Sequence, residues 1–121
     1  MIFYIPMRVV SEANLREHWR KRHARHKLIE KTLWVYFKNA KIELPCEIML
    51  TRIAPRPLDE DNLIGGAMKH IRDTIADFLI PGKAPGRADA DKRLKWLYRQ
   101  DHRAPREYAL EIEITYCPDQ R

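Results

Sequence analysis

The 121-residue chain is expected to form one α/β (α+β) domain over residues 1–121. Its architecture should be a small mixed sheet of about four strands with two main helices, in the order β-α-β-α-β-β. Three observations lead there. Stretches that alternate apolar and polar residues are interleaved with stretches whose apolar residues recur every three or four positions. The length suits a single compact domain. Hydrophobic residues make up 45% and charged residues 33%, the balance of an ordinary globular chain.

Residues 2–10 (IFYIPMRVV) are rich in β-branched and aromatic types and are broken by Pro6. This suits an edge strand, or a strand running into an irregular turn. Ser11 is a good N-cap for the segment that follows, which has no Gly or Pro before Pro45. Leu15, Trp19, Ile29, Leu33, Phe37 and Ala40 recur there at helical spacing, predicting a helix from about Glu12 to Ala40. A strand follows from about Cys46 to Ala54, with Cys46, Ile48 and Leu50 alternating with Glu47, Met49 and Thr51. Beyond a proline-punctuated loop, Leu63, Ala67, Ile71, Ile75 and Phe78 share one face of a helix from about Asn62 to Leu79. Residues 80–90 hold two prolines and two glycines and are expected to be an exposed loop. Two strands close the chain, one around Leu94, Trp96 and Tyr98, the other around Leu110, Ile112, Ile114 and Tyr116.

A formal net charge of +6 favours polyanionic partners. No apolar run approaches the roughly 18 residues of a membrane span, and Met1 to Val10 lacks a basic leader and a small-residue cleavage site. Cys46 and Cys117 form no Cys-x-x-Cys pattern, so neither a zinc site nor a disulfide framework is expected, and a cytoplasmic location is. There is no Ser-His-Asp signature, P-loop or dinucleotide fingerprint.

Asp59-Glu60-Asp61-Asn62 opens the second helix. Three adjacent carboxylates repel one another and are relieved by a cation, and Mg2+ takes oxygen ligands of this kind. Asp59 and Asp61, two apart at a loop end, could converge on one ion. Helix capping is the plainer explanation of an acid here, each contributing about 0.3–1 kcal/mol, but it needs only one. A second acidic pair, Asp89 and Asp91, stands where the Pro/Gly loop re-enters a strand and could return to the helix start.

Gly65 and Gly66 each cost about 1 kcal/mol inside a helix, so either something approaches the backbone closely or the helix starts later. Lys69 has two roles open to it, a surface pair with Asp73 or stabilisation of charge at the acidic cluster.

The first helix carries an anomaly. Its stripe passes Arg22 and His26 rather than apolar residues, and residues 16–27 read REHWRKRHARHK. Unpaired, such residues cannot be buried, so this half is expected to project or to meet an anion. Arg16, Arg20, Lys21, Arg22, Arg25 and Lys27 are the candidate phosphate contacts, and Trp19 is either a stacking surface or an anchor. His23 and His26 find no carboxylate or cysteine at ligand spacing.

LDEDNLIGGAMKHIRDTIADFL (58–79), a loop, and RADADKRLKWLYRQ (87–100) together resemble the RusA family of Holliday-junction resolvases, especially its phage-encoded relatives. The likeness is specific over about residues 58–100, where the family has Asp-x-Asp-Asn-Leu opening a helix, an acidic pair after it and a strand behind. It implies a homodimer that cleaves branched DNA with Mg2+ or Mn2+. It implies catalytic, metal-holding roles for Asp59, Asp61 and Asp89, with Asp91 as a further acid and Lys69 as the nearest lysine. Gly65 stands where the family usually has a lysine, and Ala88 where the pair's first acid falls. The residues alone also admit a DNA- or RNA-binding module without catalysis, or a phage assembly protein that uses the basic helix for protein contacts.

Overall fold

The structure is a computed structural model and describes residues 1–13, 15–84 and 86–118. It has a four-stranded mixed sheet and two main helices. The elements are β1 (Ile2–Ile5), α1 (Trp19–Phe37), β2 (Cys46–Ala54), a π-helical turn (Asn62–Ala67), α2 (Lys69–Leu79), a 3-10 turn (Ala88–Ala90), β3 (Leu94–His102) and β4 (Ala109–Tyr116). The sheet order is β1-β4-β2-β3. β2 and β3 are parallel, while β4 is antiparallel to both β1 and β2. Parallel neighbours need a crossover, and the π turn with α2 supplies it.

Alternation decides which face is covered. Ile48 is paired with Trp96 and Ile114, Leu50 with Tyr98 and Ile112, and Ile112 with Phe3. All of these lie on one face, in one cluster with Leu33 and Phe37 of α1 and Ile71 and Ile75 of α2. Ile48, Leu50, Ile75 and Ile112 are completely buried, and each such side chain contributes about 1.5–3 kcal/mol. The Phe37 ring lies 5.0 Å from that of Phe3 and 5.9 Å from that of Phe78. On the opposite face Ile2 and Tyr4 are exposed.

The first strand, Ile2–Ile5, is an edge strand that runs into an irregular segment at Pro6, as the sequence leads one to expect: Pro6 has no N–H to offer, and the Val9 carbonyl accepts from Arg52 Nε at 2.9 Å. Two elements differ from the sequence expectation. The first helix spans Trp19–Phe37, not 12–40, and its N-cap is His18, whose Nδ1 accepts from Arg20 N–H, rather than Ser11. The second helix begins as a π turn, in which Met68 N–H reaches Leu63 O at 2.9 Å. Segment 11–13 lies against that turn, with Glu12 N–H donating to Gly66 O at 2.9 Å. A Cβ on Gly66 would sit 2.3 Å from Ser11 Oγ, whereas one on Gly65 would meet nothing within 4 Å. Close approach therefore explains Gly66 and not Gly65. Among the described residues no helix is long and apolar enough to cross a membrane.

Candidate metal and nucleic-acid site

The acidic turn is positioned by a clamp on β3. The Gln100 side chain accepts from Leu58 N–H at 2.8 Å and donates to Leu58 O at 2.7 Å. Asp59 follows at once. Its Oδ1 accepts from Asn62 N–H at 2.8 Å and its Oδ2 from Asn62 Nδ2 at 3.0 Å, so Asp59 does cap the turn. Asp61 is exposed and has no hydrogen-bond or ion-pair partner among the described residues. Capping accounts for Asp59 and leaves Asp61 and Glu60, which is likewise exposed and without a hydrogen-bond or ion-pair partner among the described residues.

Asp89 lies in the 3-10 turn, where its carbonyl accepts from Trp96 Nε1 at 2.9 Å. Its Oδ2 is 3.2 Å from Arg72 Nε, inside ion-pair range although Arg72 Nε is not aligned for a hydrogen bond. Arg72 NH1 also donates to Tyr98 Oη at 2.8 Å. Burial disfavours the Arg72 charge, but Tyr98, Asp89 and Asp73 outweigh it and push its pKa up. Asp91 has both oxygens engaged: Oδ1 accepts from Arg93 N–H and Nε at 3.0 Å, and Oδ2 meets Arg93 NH2 at 3.1 Å and Lys83 Nζ at 3.3 Å. The Arg93 hydrogen bonds hold its carboxyl far below the usual range.

Among the described residues no three His, Cys, Asp or Glu side chains come together as a metal-holding group. The four predicted acids thus divide. Asp59, whose two oxygens accept from Asn62, and Asp61 are both exposed at the start of the turn, and carboxylate oxygens are the donor type that Mg2+ takes, one or two at a time with water and phosphate. Asp89 is neutralised by Arg72, and Asp91 by Arg93 and Lys83, so neither is a free donor in this conformation.

An acidic group not anticipated from sequence lies further along α2. Asp77 has its pKa raised by burial first and then by the charges of Asp73, Asp89 and Glu30. It lines a cavity of about 850 Å3 between α1 and α2, together with Trp34 and Phe78. The four-residue spacing of Asp73 and Asp77 was the available signal. Lys69 is exposed, with Nζ 3.5 Å from Asp73 Oδ2, and shares a hollow with Arg22, Gly65 and Gly66 and with the acids Glu12 and Asp73.

The interrupted stripe of α1 has an internal explanation. Arg25 donates to Glu17 Oε2 at 2.7 Å and to Glu12. His26 Nε2 is 2.8 Å from Glu12 Oε1, and its ring stacks on His70 at 3.8 Å; His70 lies 3.2 Å from Glu30. Glu12 and Glu17, both outside the helix, thus lie against Arg25 and His26 within it. His26, expected with Arg22 to meet water or an anion, meets the Glu12 carboxylate of its own chain, and Arg25, expected as a phosphate contact, is engaged by Glu12 and Glu17. Arg22 is exposed and donates to Glu12 O at 3.2 Å.

The remaining cations face outward. Arg16, Arg20, Lys21 and Lys27 are exposed, and so are Lys31 and Lys38, which residues 16–27 did not include. Arg20, Lys27, Lys31 and Lys38 are spaced seven, four and seven apart, so they share a helix face about 27 Å long. Comparison of the chain with family models, curated proteins and solved structures gives no match.

Proposed function

We propose that this chain is a metal-dependent endodeoxyribonuclease acting on branched DNA, with α1 holding the phosphate backbone and Asp59 and Asp61 holding a Mg2+ ion. The observation that carries this reading is Asp61, a carboxylate exposed and unpartnered among the described residues, beside Asp59 on a turn that continues into the hollow of Arg22 and Lys69. When bound, such an ion supplies an activated water and charge stabilisation at a phosphodiester.

The chain's own residues do the rest. Arg20, Lys27, Lys31 and Lys38 neutralise successive backbone phosphates without reading sequence. Arg22 and Lys69 donate to the phosphate nearest the acids. The preference for branched DNA and the two-fold dimer belong to the RusA likeness; two sites in a dimer suit a two-fold junction. A cytoplasmic location is part of the same reading.

A second reading, a nucleic-acid-binding module without catalysis, is favoured by one observation: Asp89 and Asp91 are both engaged by arginine. Incubation with a four-way junction and with linear duplex, each with and without Mg2+, separates the two. Mg2+-dependent scission of the junction is the expected result. Salt-sensitive binding with no scission in any metal would leave the second reading standing alone.

A further inference from the structure

Trp19 is out of place for a core residue. It opens α1 and lies five helical turns before Phe37, at the same angular position on the helix. Phe37 at that angle is buried, yet Trp19 is 65% exposed. The indole therefore does not anchor the helix to the domain. Its surroundings are cationic and aromatic, not apolar: the Arg20 guanidinium lies over the ring at 5.5 Å, with the rings of His18 at 5.5 Å and His23 at 6.5 Å. Arg16 and Lys21, also exposed, flank it in sequence. A flat apolar surface inside a ring of positive charge matches a flat group that carries negative charge on either side.

We propose, resting on the nucleic-acid reading above, that Trp19 is a stacking platform for an unpaired nucleobase, with Arg16, Arg20 and Lys21 holding the adjoining phosphates. A base inside a duplex is already covered on both faces by its neighbours, so only a single strand or the open centre of a branch can offer one. Aromatic stacking of this kind tolerates any base, and the arginine over the ring strengthens the platform. The site thus adds a preference for unpaired DNA to a surface that otherwise reads only backbone charge.

The test is a fluorescence titration in a Trp34→Phe background, which removes the other exposed indole. Oligothymidylate, a duplex of equal length and anionic phosphatidylserine vesicles are the three probes. Oligothymidylate is expected to quench Trp19 emission, and the duplex to bind without quenching it. Trp19→Ala should weaken oligothymidylate binding about 5- to 150-fold, with Trp19→Phe intermediate and duplex affinity unchanged. Because the side chain is exposed, both variants should keep the parent's unfolding midpoint, which urea titration checks. Unchanged oligothymidylate affinity in Trp19→Ala overturns the proposal while leaving duplex binding, and the nuclease reading, intact. Quenching by vesicles alone, or a changed sedimentation of DNA-free Trp19→Ala, also overturns it, in favour of a lipid surface or a contact between copies. Failure of every DNA probe to bind overturns both this proposal and the function on which it rests.

Discussion

Gly65 and Gly66 are neighbours in one π turn, and alanine should stabilise at the first and not at the second. Replacing glycine with alanine in a helical turn is favourable by up to about 1 kcal/mol, partly through the unfolded chain. At Gly65 nothing lies within 4 Å of the new Cβ, so Gly65→Ala should stabilise by about that amount. At Gly66 the new Cβ falls 2.3 Å from Ser11 Oγ, 3.1 Å from Ala13 Cβ and 3.3 Å from Ala13 N. The hydroxyl can rotate away, but the Ala13 backbone must move, and with it the Glu12 N–H bond to Gly66 O. Overpacking of this sort costs about 1–3 kcal/mol. The gain in helical preference is common to both variants, so the difference between them isolates the clash: Gly66→Ala should be about 1–3 kcal/mol less stable than Gly65→Ala. Ser11→Ala in the Gly66→Ala background should recover part of this, because it removes the nearest atom. Urea midpoints at unchanged m-value read all three quantities. Equal stability of the two alanine variants would refute the placement of segment 11–13 against the π turn.

Two further outcomes follow from the charged groups. Burial pushes the Glu12 carboxyl up, but hydrogen bonds from His26 and Arg25 and their charges more than offset it, leaving its pKa below the ordinary 4.5. A carboxyl depressed by folding contributes stability that is full above its unfolded value and is lost as pH falls through the folded one. The parent should therefore exceed Glu12→Gln by about 1 kcal/mol near neutral pH, a partly buried pair lying between exposed and buried cases. That margin should vanish in strong acid, and urea midpoints showing a margin independent of pH would contradict it. On α1, joint replacement of Arg20, Lys27, Lys31 and Lys38 with alanine should make log K for duplex binding less steep in log salt, by about one unit for each phosphate that is no longer neutralised. A filter-binding slope equal to the parent's would show that this face does not touch DNA.

The sheet was legible because its strands are simple. β2 falls on Cys46–Ala54, as alternation at Cys46, Ile48 and Leu50 predicts, and β3 and β4 follow the same rule. The start of α1 was not legible, because the sequence over 12–18 carries no breaker, and the pairing of Glu12 and Glu17 with Arg25 and His26 is one that local spacing cannot show. The same limit applies at the candidate site. The cluster at Asp59 and Asp61 is local and visible as a motif, whereas the partners of Asp89 and Asp91 depend on where Arg72, Lys83 and Arg93 come to lie. The full basic face of α1 was legible in principle, since Lys31 and Lys38 continue the spacing of Arg20 and Lys27, but the density of charge in residues 16–27 masks that longer pattern.

On the proposed function, the exposed carboxylate of Asp61 serves a phosphodiester-cleaving site. The most direct measurement compares the Mg2+-dependent nicking rate of a four-way junction by the parent, Asp61→Asn and Asp91→Asn, with junction binding measured in parallel. Asp61→Asn should lose cleavage and bind DNA as well as the parent or more tightly, since it removes negative charge facing phosphate. Asp91→Asn, altered at a carboxylate already committed to Arg93 and Lys83, should retain more of the parent's rate than Asp61→Asn. An Asp61→Asn protein that nicks the junction at the parent's rate would contradict the account.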